Sequence, residues 1–161
     1  MKKVLFVCLG NICRSPAAEG ILKKYTNDNT LGESIFVDSA GTISYHEGEL
    51  PDENMRRIAA KRGYQLESIA RKFDPEKDFN EFDYIITMDD FNYNDIIRLD
   101  KKKSFRNKIF RMADFIGEEN ITEVPDPYNG TDDDFDYVID LLEKGNKNVL
   151  LKITNDIEQR D

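Results

Sequence analysis

The sequence predicts an α/β fold in which a small four-stranded parallel sheet is doubly wound, with helices on both of its faces. Three observations predict it. Segments of strand and helix character alternate four times along the chain, the first strand candidate is a continuous apolar run, and 161 residues suit one domain with one core. Because a run that is apolar throughout is typical of a strand buried on both faces, a parallel sheet is favoured. We therefore expect a single domain over residues 1–161.

The strand candidates lie at residues 3–8, 35–37, 82–88 and 108–112, and Ser39-Ala40-Gly41 closes the second of them. The first helix is predicted to follow Ser15 as N-cap, with Pro16 at its first position. Further helices are expected at residues 51–62, from Asp89 or Asp90 to residue 99, and at 132–157 with a weak middle at Gly145. Residues 42–51 and 120–130 are predicted to be loops. Since ligands bind beyond the carboxyl ends of parallel strands, the turn after the first strand is the expected site of chemistry.

The charge of the chain excludes several classes of partner. A net charge of −9 repels nucleic acid and anionic lipid, so we expect neither as a partner. The longest apolar run, residues 4–9, is too short to cross a membrane, and no cleavable leader is recognisable. The expected location is therefore the cytoplasm. Two cysteines, Cys8 and Cys13, and the single histidine, His46, are too few for a structural metal site or a disulfide framework.

The turn after the first strand reads C-L-G-N-I-C-R-S, from Cys8 to Ser15. Successive backbone N–H groups in such a loop, together with the N-terminus of the following helix, form a site for an anion. Gly10 and Asn11 suit a tight turn because both tolerate unusual backbone conformations. Arg14 offers a planar fork that holds two phosphate oxygens. The same field favours a thiolate at Cys8, which then faces a bound phosphoryl group as a nucleophile.

Two further residues complete a candidate reaction site. The hydroxyl of Ser15 is placed to donate a hydrogen bond to the sulfur of Cys8. Asp126 lies in V-P-D-P-Y, where two prolines restrict the backbone, and it offers the proton that a leaving oxygen requires. Each assignment has a simpler alternative: Cys8 as a buried apolar strand residue, and Asp126 as part of an ordinary Asp-Pro turn.

Together these motifs resemble those of the low-molecular-weight protein tyrosine phosphatases. The resemblance covers nearly the whole chain and rests on V-C-L-G-N-I-C-R-S-P at 7–16, D-S-A-G at 38–41, F-D-Y-I at 82–85 and D-P-Y at 126–128. It implies hydrolysis of phosphotyrosine in proteins or peptides through a phosphocysteine, with inorganic phosphate as a product and no metal or organic cofactor. It also implies a monomer or weak self-association.

The resemblance assigns roles to individual residues. Asp126 acts first as an acid and then as a base, while Arg14 and the loop amides bind phosphate in both steps. The phosphate-binding residues are Leu9, Gly10, Asn11, Ile12, Cys13, Arg14 and Ser15, and the residues that support the loop are Asn11, Ser15 and Ser39. Cys13 is predicted to form a reversible disulfide with Cys8 under oxidation, and the alternative is that it is simply a small buried residue.

A deep slot with aromatic walls is expected to select the substrate. Tyr45 and Tyr128 match the family's wall positions, although the family often has tryptophan where Tyr45 stands. A second tyrosine is common where this chain has Asn129, so peptide recognition at the rim is expected to differ. For His46 two alternatives stay open, an exposed loop residue or a contact to substrate.

Three rival functions are weighed against this prediction. A thioredoxin-coupled arsenate reductase shares the fold and loop but needs a third cysteine, which this chain lacks. A protein-arginine phosphatase of the family resembles C-T-G-N-T-C-R-S, with a small threonine where this chain has the apolar Ile12. A phosphoprotein-binding module without turnover is disfavoured because Cys8, Arg14 and Asp126 are all present.

Overall fold

The computed structural model of the protein describes residues 1–160. Its sheet consists of β1 (Lys2–Cys8), β2 (Ile35–Gly41), β3 (Tyr84–Thr87) and β4 (Ile109–Arg111). All three pairings are parallel, and the strand order is β2-β1-β3-β4. Lys2 pairs with Ile35 at one end of β1 and Cys8 pairs with Gly41 at the other. The predicted four-stranded parallel sheet is confirmed.

Helices cover both faces of this sheet. They are α1 (Arg14–Asp28), α2 (Glu53–Lys61), α3 (Pro75–Glu81), α4 (Asp90–Leu99), α5 (Met112–Ile116) and α6 (Asp132–Glu158). Side chains of β1 alternate between two apolar clusters, because successive residues of a strand point to opposite faces. Val4 and Phe6 join a cluster with residues of α1, α2, α5 and α6. Leu5 and Val7 join the other cluster, with residues of α3 and α4. The doubly wound arrangement is therefore confirmed.

The start of α1 differs from the prediction. The helix begins at Arg14, Cys13 occupies the N-cap position without a capping side chain, and Pro16 is its third residue. Ser15 is therefore not the N-cap. Its hydroxyl lies 3.0 Å from the sulfur of Cys8 instead, so the side chain is used by the loop rather than by the helix end.

Two short helices were not predicted. Helix α3 has Asp74 as N-cap and Pro75 in its first turn, and α5 takes over Met112, which was predicted to end the fourth strand. Helix α2 begins after Asp52, whose carboxylate accepts a hydrogen bond from the backbone of Met55, rather than at Pro51. Helices α3 and α5 contain too few residues for a periodic apolar pattern, so sequence periodicity does not reveal these two helices.

The strand order reverses direction at β1, which lies between β2 and β3. In doubly wound sheets this reversal opens a crevice at the carboxyl ends of the strands. Cys8 is the last residue of β1, and Asp89 lies two residues after the end of β3. The fold therefore brings the loop at residues 9–13 and the start of α4 to one edge of the sheet. Within residues 1–160, no helix has both the length and the hydropathy that a membrane span needs.

Candidate active site

The loop between β1 and α1 is shaped by two residues with unusual requirements. Asn11 has a φ of 57°, the left-handed conformation that its sequence position predicts. Gly41, at the end of β2, packs directly against the loop backbone. A Cβ atom on Gly41 would lie 2.7 Å from the carbonyl oxygen of Leu9, closer than Cβ atoms approach other atoms in proteins. Glycine is thus required there because the loop backbone approaches β2 so closely.

Gly10 gives room to the single histidine. A Cβ atom on Gly10 would lie 3.0 Å from Cδ2 of His46, so the imidazole ring covers this part of the loop. Nδ1 of His46 lies 2.5 Å from a carboxylate oxygen of Glu49. The ring edge opposite Glu49 therefore faces the loop. Of the two alternatives for His46, the structure supports a place at the cavity rather than in open solvent.

A chain of buried hydrogen bonds leads from the sulfur of Cys8 into the protein. The side-chain amide of Asn11 donates to Ser15 Oγ at 2.8 Å and to Ser39 Oγ at 2.9 Å. Because Ser15 Oγ accepts from Asn11, its own proton is available to the sulfur of Cys8. Ser39 in turn donates to a carboxylate oxygen of Glu19 at 2.6 Å. The three residues predicted to support the loop thus lie in one network.

Arg14 is buried and held by partners from distant parts of the chain. Its Nη1 donates to Asp89 Oδ2 at 2.6 Å and to the carbonyl oxygen of Val124 at 3.0 Å. Burial lowers the pKa of the Arg14 guanidinium, but the negative charges of Cys8, Asp89 and Asp126 outweigh burial and raise the pKa above its ordinary value. The guanidinium is therefore a permanent positive charge beside Cys8.

Asp126 lies on the same side of the molecule. Its Oδ2 is 3.7 Å from Nη2 of Arg14, and its Oδ1 accepts a hydrogen bond from the backbone of Tyr128 at 3.1 Å. The carboxylate is 44 % exposed, so it can exchange protons with water. A carboxyl group in this position reaches both the cavity and solvent, as a general acid requires.

One cavity of about 140 Å³ joins these groups. Its walls are Cys8, Leu9, Gly10, Ile12, Cys13, Arg14, Ile43, His46, Asp126 and Tyr128. Tyr128 was predicted as a wall and lies there. Tyr45 was also predicted as a wall, but its side chain is 81 % exposed and packs edge-on against His46 instead. The ring of His46 occupies the wall next to the loop, so Tyr45 is not among the residues that line this cavity, and its role as a wall stays a prediction.

Cys13 differs from Cys8 in its surroundings. Both are buried free cysteines, but burial, with the nearby charges of Asp52 and Cys8, raises the pKa of the Cys13 thiol far above its ordinary value. Cys13 is therefore a neutral thiol. Both cysteines line the cavity, but of the two only Cys8 has the hydroxyl of Ser15 within hydrogen-bond distance of its sulfur.

Several residues at this site escaped the sequence analysis. Asp89 was considered only as a helix cap, yet it also binds Arg14. Its position just after the third strand was a usable signal, because the carboxyl ends of parallel strands meet at one edge. The sequence contains no comparable signal for Glu19 or Arg71. The backbone N–H of Arg71 donates to Asn11 Oδ1 at 3.0 Å, while its side chain binds Asp38 and Asp78.

Comparisons with known proteins identify the family. The model of the low molecular weight phosphotyrosine protein phosphatase family matches residues 3–159. The human low molecular weight phosphotyrosine protein phosphatase is 39 % identical, over 85 % of this chain and 86 % of its own. A crystal structure of the protein tyrosine phosphatase from Entamoeba histolytica has a TM-score of 0.92 at 46 % identity, covering 97 % of this chain and 99 % of that one.

An arginine phosphatase from Drosophila has the same fold at lower sequence similarity. Its crystal structure has a TM-score of 0.87 at 29 % identity and covers 95 % of this chain and 98 % of that one. The match of the family model over almost the whole chain, with the identity to the human enzyme, decides the classification. This chain belongs to the low molecular weight phosphotyrosine protein phosphatase family.

Proposed function

We propose that Cys8, Arg14 and Asp126 carry out the hydrolysis of phosphotyrosine monoesters that membership of this family assigns to the chain. The observation that supports these roles is that Cys8 and Arg14, at the two ends of the loop after β1, line one cavity with Asp126, which comes from a distant loop. A nucleophile, a fixed positive charge and an acid are the groups that cleavage of a phosphate ester requires. The cavity is open to solvent on the side of Tyr128, which is 48 % exposed.

In the first step the sulfur of Cys8 attacks phosphorus, and the bond from phosphorus to the tyrosyl oxygen breaks. Asp126 gives its proton to that oxygen, so tyrosine leaves as a neutral phenol. Arg14 and the loop amides of residues 9–15 stabilise the charge on the transferring phosphoryl group. Because Asp89 holds the Arg14 guanidinium in place, the positive charge of Arg14 is positioned before substrate binds.

In the second step a water molecule attacks the phosphocysteine. Asp126, now a carboxylate, accepts a proton from this water, and the bond from phosphorus to sulfur breaks. Cys8 leaves as a thiolate that the hydroxyl of Ser15 stabilises by a hydrogen bond. Inorganic phosphate is the product, and the enzyme returns to its starting state.

The cavity walls support an aromatic substrate. Apolar surface beside the reacting groups comes from Ile12, Ile43 and Tyr128. The ring centroids of His46 and Tyr128 lie 6.2 Å apart. An arginine phosphatase is the rival to test, since one structural neighbour carries that name. Peptides bearing phosphotyrosine, phosphoserine or phosphoarginine in one sequence context separate the substrates. Phosphotyrosine should give the highest kcat/KM, and a preference for phosphoarginine would overturn this assignment.

Replacing Asp126 by asparagine should affect substrates according to their leaving group. For phosphotyrosine peptides we expect kcat/KM to fall by roughly 10²- to 10³-fold, because the phenol needs a proton. For a dinitrophenyl phosphate, whose leaving group needs none, the loss should be much smaller. The parameter kcat/KM is chosen because it reports formation of the phosphocysteine and not its hydrolysis.

The matched control is Asp133→Asn, which removes one exposed carboxylate at the start of α6, outside the cavity. It should leave kcat/KM within about twofold for every substrate, as surface charges contribute little. An equal loss for good and poor leaving groups in Asp126→Asn would show that Asp126 is not the proton donor.

Cys13 is proposed to protect Cys8 from irreversible oxidation. Peroxide first converts the Cys8 thiolate to a sulfenic acid, with release of hydroxide. The sulfur of Cys13 then attacks that sulfur, a disulfide forms, and the departing oxygen takes the proton of Cys13 to leave as water. Because the raised pKa of Cys13 keeps it protonated, this second step is expected to be slower than with a thiolate.

We expect peroxide to inactivate the enzyme and a dithiol to restore its activity. Mass spectrometry of the treated protein should show a peptide containing the Cys8–Cys13 link, and Cys13→Ser should lose the recovery. Sulfinic acid on Cys8 without that link in the wild-type chain would refute the role of Cys13.

The remaining proposals concern the setting of the enzyme. We propose a cytoplasmic location, where both free cysteines stay reduced, and phosphotyrosine-containing proteins or peptides as partners. A net charge of −9 disfavours nucleic acid and membrane surfaces. We also propose that residues 1–161 form a single domain, supported by two apolar clusters on one shared sheet, and that the chain is monomeric or weakly self-associating.

A further inference from the structure

A short segment of this acidic chain carries concentrated positive charge. Residues 98–108 contain six basic side chains and one acidic one, a net charge of +5, while the whole chain has −9. The basic residues are Arg98, Lys101, Lys102, Lys103, Arg106 and Lys108. The segment runs from the end of α4 to the start of β4. The phosphate loop follows β1, whereas this segment precedes β4. Because the strands are parallel, the loop and the segment lie at opposite ends of the strands.

The fold holds this segment in a defined shape. The buried carboxylate of Asp100 accepts hydrogen bonds from the backbones of Ser104 and Phe105, at 3.0 and 3.1 Å, and from Nε of Arg106. Its negative charge is therefore satisfied inside the turn. Lys101 and Lys102 are exposed and form no ion pair with any of residues 1–160, so their charges are available.

The same turn forms one side of a groove of about 350 Å³, and α3 forms the other. The rings of Phe79 and Phe105 stack at 5.0 Å, and Leu99 is 37 % exposed beside them. Lys101 and Lys102 line the groove together with these apolar residues. Glu76 is the one lining carboxylate that no basic residue in 1–160 neutralises. The groove thus combines an apolar floor with a rim of net positive charge.

We propose that this basic groove docks an acidic segment of a partner protein, with one apolar side chain of that segment inserted between α3 and the turn. The charge of the rim is complementary to carboxylates, and the volume is sufficient for a side chain of the size of phenylalanine. The site lies away from the catalytic cavity, so an occupied groove leaves the phosphate loop free to work on the same partner.

An extended polyanion fits this surface less well than a short acidic peptide. Electrostatic screening at physiological ionic strength limits a charge to a range of about 8 Å. A short segment within the groove meets the local positive charge. A nucleic acid or an anionic membrane extends beyond the groove over a protein whose net charge is −9, and is repelled. The concave apolar floor also suits an inserted side chain better than a flat lipid surface.

The test is binding of a fluorescent peptide with one phenylalanine between runs of glutamate, measured by polarisation on the full chain. Replacing by glutamine the groove residues Lys101 and Lys102, together with the exposed Lys103 that follows them in the same turn, should weaken binding by about tenfold, as expected for three solvent-exposed charge pairs. Peptides with lysine in place of glutamate, or alanine in place of phenylalanine, should bind more weakly than the parent peptide.

The matched control replaces three exposed lysines elsewhere, Lys24, Lys61 and Lys147, and changes the net charge equally. Its affinity for the peptide should stay close to that of the wild-type chain. Equal losses in both triple variants, or tighter binding of duplex DNA or phosphatidylserine vesicles than of the peptide, would overturn the proposal. Turnover of a small aryl phosphate should be unchanged in both variants, which separates this test from that of the catalytic mechanism.

Discussion

Replacing Cys8 by serine is expected to abolish hydrolysis of phosphotyrosine, with kcat falling at least about 10⁴-fold, the scale seen when a nucleophile is removed. A serine hydroxyl at this position stays protonated, because among residues 1–160 only the hydroxyl of Ser15 forms a side-chain hydrogen bond to the Cys8 sulfur and no base does. Binding of a phosphotyrosine peptide should persist, since Arg14 and its contact to Asp89 are unchanged. Steady-state kinetics and calorimetric titration of the variant measure the two effects.

The control for this experiment is the neighbouring cysteine. Cys13→Ser is also an exchange of sulfur for oxygen in the same loop, but Cys13 is a buried neutral thiol, so we expect a loss of no more than about tenfold. Unfolding temperatures of both variants should lie close to that of the wild-type chain. If Cys13→Ser were the more damaging change, or if Cys8→Ser kept turnover near the wild-type level, a phosphocysteine on Cys8 would be excluded.

The part of this site that sequence reasoning located is contiguous in the chain. From Cys8 to Ser15, the end of a buried strand, a turn and a helix start follow one another, so local rules for strands, turns and helix ends apply directly. The left-handed conformation of Asn11 follows from the same rules. Asp126 required more, because an Asp-Pro turn is common. The need for a proton on the leaving oxygen suggested Asp126 as a candidate, and the resemblance to a family then assigned it the roles of acid and base.

The residues that sequence reasoning missed act across long separations. Arg14 and Asp89 are 75 residues apart, and Arg71 and Asn11 are 60 apart, so no periodic pattern links them. The orientation of Tyr45 was hard to predict for a similar reason, because it depends on how residues 42–51 fold over Gly10. That loop contains no regular element, and the ring of His46 takes the wall position instead.

Arg14→Lys should lower kcat/KM for phosphotyrosine by about 10³-fold, because removing an arginine that contacts a transferring phosphoryl group has effects of this size. Lysine keeps the positive charge beside Asp89, so it avoids the partly buried, unpaired carboxylate that alanine would leave. A single ammonium group cannot occupy the place of Nη1 at Asp89 and that of Nη2 near Asp126 at once. The variant therefore removes the planar fork and little else.

The alternative is that Arg14 serves only to join Asp89 and Val124, and inhibition by inorganic phosphate distinguishes the two roles. If the guanidinium binds phosphate oxygens, the inhibition constant of phosphate should rise in Arg14→Lys by at least about tenfold, as expected for a charge-assisted bidentate contact. Asp89→Asn removes the charged partner of Arg14 but leaves its guanidinium in place, so this variant should raise the inhibition constant of phosphate less. An unchanged inhibition constant in Arg14→Lys, together with a lower unfolding temperature, would make the residue a structural link. The transferring phosphoryl group would then have to be stabilised by hydrogen bonds from the loop amides alone.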